Sequence, residues 1–144
     1  NALQFDAITK LVQVGIRDYC EEEADFVRSS NGRITVFYDR DIRKRMFEGS
    51  SWRELTDEMI AELPDKVYVS IDIDGLDPKL CPNTGTPVPG GLQFEELIYM
   101  LNRLKASGKE IIGFDLCEVA PGEDEWDGNV GARVLYQLIG LAAG

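Results

Sequence analysis

The chain contains no histidine. That removes the commonest general base and the commonest nitrogen ligand for a metal, so acid–base or metal chemistry must fall to carboxylates. Cysteine is scarce as well: Cys20, Cys81 and Cys117 are odd in number, widely spaced and without a C-x-x-C. This usage suggests reduced thiols in a cytoplasmic protein. Positive charge is short, 15 Lys and Arg against 26 Asp and Glu, and the formal charge of −11 argues against nucleic acid or an anionic membrane as partner. No apolar run approaches transmembrane length, and the start of the sequence does not read as a signal peptide. Internal repeats, low-complexity tracts and linkers are missing too.

What is present reads as one soluble α/β domain over residues 1–144, enough chain to bury about two thirds of its unfolded surface. Short apolar runs alternate with amphipathic ones. Strands are expected near Leu11–Ile16, Ile34–Tyr38, Val67–Asp74 and Glu110–Glu118. The acidic run Glu21-Glu22-Glu23 favours the first turn of a helix running towards Val27, and Asp39–Phe47 is basic and reads as a short helix. Ser50 or Ser51 caps a clearer helix through Leu63, with Ser51 and Glu54 spaced as a capping box. Phe94–Lys105 has the strongest helical spacing, and a last helix is expected from about Gly128 to Leu141, capped by Asp127. Strands alternating with helices imply a mostly parallel sheet in a three-layer α/β/α arrangement.

The segment Lys66–Pro78 organises the rest. A β-branched run leads into Asp72 and Asp74, two positions apart, and Gly75 and Pro78 then turn the chain. Strand alternation would point both aspartates one way and Ile71 and Ile73 the other. Two neighbouring carboxylates repel near a low-dielectric core, and a divalent cation with oxygen ligands is the usual compensation. The plain alternative is one aspartate capping the turn and the other solvated. Ligands of such sheets bind beyond the carboxyl ends of the strands, where the pair, the long Pro- and Gly-rich loop Pro78–Leu92 and Glu118 all fall.

Three stretches resemble a known family: Ser70–Pro78 (SIDIDGLDP), Thr84–Leu92 (TGTPVPGGL) and Phe114–Pro121 (FDLCEVAP), with Val14–Asp18 (VGIRD) as a further counterpart. In that order they look like the ureohydrolases, the arginase, agmatinase and formimidoylglutamase relatives. The resemblance implies two Mn²⁺ ions that activate a shared water for attack on a guanidinium carbon, releasing urea. It implies that Asp72 bridges both metals, Asp74 binds one, Glu118 holds the guanidinium and Thr86 lines the same pocket. Glu118 has a plain alternative as a strand-end residue capping the acidic loop, and Thr86 as a turn hydroxyl bonded to backbone. Asp77 and Asp115 read as turn or supporting residues rather than ligands. No residue of this chain is assigned as the catalytic nucleophile or base.

The family's G-G-D-H and D-A-H-x-D segments, which carry the other metal ligands, have no counterpart here. The chain is therefore expected to be the C-terminal part of a ureohydrolase-like domain, holding a half-site and inactive alone. Its partners are expected to be a small guanidino substrate and further copies of itself. Cys20 stands where arginases place an Asp that helps hold the substrate α-ammonium, which tilts the expectation towards an agmatine-like substrate. Two rivals remain. A haloacid-dehalogenase-type phosphatase also ends a strand with D-x-D, although Leu76 stands where that motif has Thr or Val. A non-catalytic metal-binding or assembly module is the other.

Overall fold

A computed structural model describes residues 2–142, which fall into two compact units, 1–64 and 65–144. In the first unit β1 (Leu11–Ile16) and β2 (Ile34–Tyr38) pair in parallel, Leu11 opposite Ile34 and Val14 opposite Phe37. The helix α1 (Glu21–Ser29) connects them, with three acidic residues against the positive end of its dipole and Arg28 in its last turn. Next come α2 (Asp39–Phe47) and α3 (Trp52–Ala61). The capping box of α3 forms as expected: Ser51 Oγ accepts from Glu54 N–H at 3.2 Å, and Glu54 accepts from Ser51 N–H at 2.7 Å. Leu55, Met59 and Ile60 on α3, with Ile42 on α2, turn into the core of this unit.

In the second unit β3 (Lys66–Asp72) pairs in parallel with β4 (Glu110–Cys117). Between them run a long loop and α4 (Phe94–Ala106), and α5 (Trp126–Ala142) follows β4. Leu97, Ile98, Leu101 and Leu104 of α4 are buried, as are Val130, Val134 and Leu138 of α5. Each such side chain contributes about 1.5–3 kcal/mol over its exposed state. Gly131 lets α5 close on the segment after β4, since a Cβ there would lie 2.9 Å from Val119.

The alternation of elements, the parallel pairing and the strand positions agree with the sequence reading. Five details differ, the first being that β4 ends at Cys117, so Glu118 lies just beyond the strand instead of on it. Among the described residues the ladders form two pairs, one per unit, rather than one four-stranded ladder. The third strand stops at Asp72, and Ile73–Gly75 forms a single 3-10 turn, so Asp74 lies on that turn and not on the strand. Ile73 is fully buried, and that anchor ends the extended run early. Helix α3 ends at Ala61 rather than Leu63. Helix α5 starts at Trp126, which puts Asp127 inside its first turn instead of ahead of it, and the capping oxygen is Asp124 Oδ1, accepting from Trp126 N–H at 3.1 Å.

Candidate functional site

The site in the second unit grows from the end of β3. Asp72 closes the strand, and its Oδ1 accepts from Asp74 N–H at 3.3 Å, so the first aspartate caps the turn that carries the second. The pair is thus brought together by a turn and not by strand alternation. Parallel register sets Asp72 opposite Cys117, which places Glu118 one residue beyond β4. Glu118 adopts φ 62°, a left-handed conformation that bends the chain away at once.

The loop after the turn has no regular structure, yet it is tied at both ends and along its length. Leu76 bridges Leu92, with Asp77 N–H donating to Leu92 O at 2.9 Å and Leu92 N–H to Gly75 O at 3.0 Å. Ends this close make it a compact Ω-type loop. Gly91 makes the closure possible: it has φ 87°, and a Cβ there would stand 2.5 Å from Leu76 O. Asp77 holds the first bend. It accepts from Lys79 N–H at 3.0 Å and from Gln93 Nε2 at 3.0 Å, which lowers its pKa to about 2. Cys81 is fully buried, its Sγ donating to Ile73 O at 3.2 Å.

Two contacts then aim the loop at the carboxylates. Thr84 Oγ1 donates to Glu118 O at 3.2 Å, and Thr86 Oγ1 donates to Asp74 Oδ2 at 2.6 Å. Between them Gly85 passes so near that an added Cβ would lie 3.7 Å from Glu118 Oε2. The structure therefore brings Asp72, Asp74, Thr86 and Glu118 together. The hydroxyl of Thr86 binds a carboxylate, not the backbone of its own turn.

Electrostatics agree with that crowding. Partial burial of the Asp72 carboxyl raises its pKa above the ordinary carboxylate value, and the neighbouring Asp74 and Glu118 push the same way. Asp115 goes the other way: the Ser70 hydroxyl, 2.8 Å from its Oδ1, holds its pKa below the ordinary value, and the Cys117 thiol adds a second bond at 3.2 Å. Cys117 is raised in turn, chiefly by Asp115. Asp77 and Asp115 each accept hydrogen bonds from neighbouring residues of the same unit.

One residue that positions this site has a different role from the helix cap expected of it. Asp127 is fully buried on α5, and its two oxygens accept from Asn83 N–H and Asn83 Nδ2, each at 2.9 Å. Trp126 Nε1 beside it donates to Lys79 O at 3.0 Å. Together they pin the loop that carries Thr86. Nothing local in the sequence separates this aspartate from an ordinary helix cap.

As a donor set, Asp72 and Asp74 offer hard oxygens suited to a divalent cation, and the pKa of Asp72 is raised first by its partial burial and then by the neighbouring Asp74 and Glu118. Two side chains fall short of the about six donors Mn²⁺ takes. Among the described residues no group of three or more His, Cys, Asp and Glu side chains is placed to hold a metal. The residues present fit part of a metal centre.

Comparison with known proteins gives a consistent result. The family model described as the Arginase family matches residues 2–140. The N(1)-aminopropylagmatine ureohydrolase of Synechocystis sp. is 38% identical over 129 residues, covering 88% of this chain and 39% of that protein. The agmatinase of Pyrococcus horikoshii is 35% identical over 135 residues, 93% of this chain and 44% of the relative. Among solved structures, the arginase from Bacillus caldovelox superposes with a TM-score of 0.74 at 29% identity, over 90% of this chain and 42% of that one. The proclavaminate amidino hydrolase from Streptomyces clavuligerus gives 0.73 at 27% identity, over 94% and 43%. The chain thus spans well under half the length of these relatives. The phosphatase alternative falls with this match, and the α/β fold is of the arginase type. By sequence and by structure, the chain belongs to the arginase family.

Proposed function

We infer that this chain forms the part of a ureohydrolase that supplies two metal-binding carboxylates and the guanidinium clamp. The observation that carries the reading is the hydrogen-bonded run Thr86–Asp74–Asp72 beside Glu118, built from three separate segments of the second unit. Asp72 and Asp74 would hold manganese together with donors from outside this chain. When bound, the two ions supply a water activated for attack at neutral pH and stabilise negative charge as it develops.

The chain's own residues do the rest. Thr86 donates to Asp74 Oδ2 and so orients that carboxylate. Glu118, bent out of β4 by its left-handed backbone, would accept two parallel N–H bonds from a planar guanidinium and so orient it. The clamp is set for a guanidinium on an alkyl chain. Cys20, exposed at the cap of α1, replaces the acidic residue that grips an α-ammonium in arginases, so an agmatine-like substrate is favoured. Two relatives named as agmatine-type enzymes support that choice. The parent enzyme is cytoplasmic and homo-oligomeric in this reading; no helix of the described residues is long and apolar enough to cross a membrane.

The test is urea release from agmatine, arginine and related guanidino compounds at millimolar Mn²⁺. It is run on this chain and on a form extended with the remaining length of the family domain. The extended form should turn over agmatine-like substrates in preference to arginine, and this chain alone should be silent. Turnover by this chain alone contradicts the partial site. Silence of the extended form with metal bound favours the non-catalytic module.

A further inference from the structure

Among the described residues, Asn31, Glu118 and Glu125 have a left-handed backbone without being glycine. Asn31 stands in an Asn-Gly turn, where that conformation comes readily. In a glutamate it costs energy and persists only where the surroundings hold it. The segment 118–127 thus begins with one such bend, φ 62°, and carries another near its end, φ 60°. Something outside the segment must hold both.

Two adjacent loop residues do so. Thr84 is buried, and its Oγ1 donates to Glu118 O at 3.2 Å, across 34 residues of chain. A buried hydroxyl needs an acceptor, and a turn threonine ordinarily finds one in its own turn. This hydroxyl reaches the carbonyl of a left-handed residue instead. Asn83 holds the other end, its backbone N–H and its Nδ2 both donating to the buried carboxylate of Asp127. Between these ties the segment wraps round Asn83 so closely that a Cβ on Gly122 would lie 2.2 Å from Asn83 Nδ2. The backbone of Thr84 is itself fixed, because its N–H donates to the carbonyl of the fully buried Cys81 at 3.3 Å. Thr86, on the same stretch, donates to Asp74 Oδ2.

We propose that Thr84 is a positioning residue for the guanidinium clamp. It holds the bend that presents Glu118, and Asn83 with Asp127 holds Thr84. The proposal rests on the reading of Glu118 as the clamp. Thr84 acts on the substrate through Glu118, whereas Thr86 is the residue bonded to a carboxylate read as a metal ligand. Substrate binding and metal binding are therefore separable by substitutions within one short stretch of loop.

Thr84→Val removes the hydroxyl at nearly constant shape, and Thr84→Ser keeps it. In this chain the carbonyl carbon resonance of Glu118 should move in Thr84→Val and stay in place in Thr84→Ser. In the extended form Thr84→Val should lower kcat/KM for agmatine about tenfold or more, chiefly through KM, with Mn²⁺ uptake unchanged. Thr84→Ser should keep most of the activity. Asn83→Asp sets two carboxylates together and should lower kcat/KM in the same way. Adding Asp127→Asn exchanges the two side chains, restores both hydrogen bonds and should restore kcat/KM. An unmoved Glu118 resonance in Thr84→Val overturns the proposal, as does a kcat/KM equal to that of the unsubstituted extended form. A loss that Thr84→Ser shares, or that Mn²⁺ uptake shares equally, assigns Thr84 to general stability and overturns it too. Silence of the unsubstituted extended form strikes the ureohydrolase reading, and this proposal with it.

Discussion

Residues 1–64 and residues 65–144 use their side-chain polar bonds in different ways. In the first unit many of these bonds run along a helix, between helices or across the short segments that flank the strands, as where Arg33 donates to Ile8 O. Arg45 forks onto Glu58 between α2 and α3 at 2.7 and 2.6 Å, Lys10 reaches Glu62 at 2.6 Å, and Arg28 pairs with Glu21 and Asp25 along α1. These pairs sit in solvent and individually contribute little; the unit rests on its core. In the second unit the bonds run into the loop at 78–92, where no secondary structure supports the chain. Asp127, Asp77, Cys81, Thr84 and Thr86 each hold a piece of it. The contrast shows where a precise geometry is maintained without a regular backbone, and that is where the candidate site lies.

The largest expected effect is in the first unit, and it should leave the site alone. Leu55→Ala empties a fully buried position and should cost about 2–5 kcal/mol, read as faster amide exchange in α3. In the second unit Asp127→Ala should cost about 2–3 kcal/mol by stranding both donors of Asn83, with lost protection concentrated at 79–86. If its effect instead spreads evenly through α4 and α5, the loop is not what Asp127 holds.

A matched pair of glycines sharpens the comparison. Gly91 and Gly32 both have positive φ, but a Cβ at Gly91 meets the Leu76 carbonyl while one at Gly32 meets nothing within 4 Å. Gly32→Ala should cost about 1 kcal/mol of backbone strain alone, and Gly91→Ala about 2 kcal/mol or more. Equal costs in thermal melts would mean that the closure of the loop on Leu76 is loose.

The smallest effect is in pH. Asp77 has its pKa lowered to about 2, so its bonds contribute fully above the ordinary aspartate value near 3.9 and are lost as pH falls from there through about 2. Asp72 acts with the opposite sign: its pKa is raised, so it favours the folded state more as its carboxyl becomes protonated. Trp126 fluorescence should report loosening of the loop below about pH 4, and Asp77→Asn should remove that part of the pH dependence.

Much of this was legible in the residues. β-branched runs placed all four strands, and Ser51 with Glu54 marked a helix start that the structure reproduces. The grouping of Asp72, Asp74, Thr86 and Glu118 was legible because three motifs recur in one order. The means of grouping was not. An apolar-polar alternation continues through a 3-10 turn as easily as along a strand, since Ile73 is buried in either case. Asp127 was misread for a similar reason: an acidic residue near a helix start looks like a cap until its distant partner, Asn83, is seen. The split into two ladders depends on which strands find hydrogen-bonding neighbours, and that is a long-range property no local pattern encodes.

The central claim is that Asp72 and Asp74 are metal ligands in a site this chain only partly completes. Manganese titration followed by electron paramagnetic resonance tests it most directly. The account predicts weak uptake of Mn²⁺ by this chain, abolished in Asp72→Asn, Asp74→Asn and unchanged in Asp115→Asn, whose carboxylate is engaged by Ser70 and Cys117. Uptake that survives the double substitution, or that is lost equally with Asp115→Asn, would contradict it.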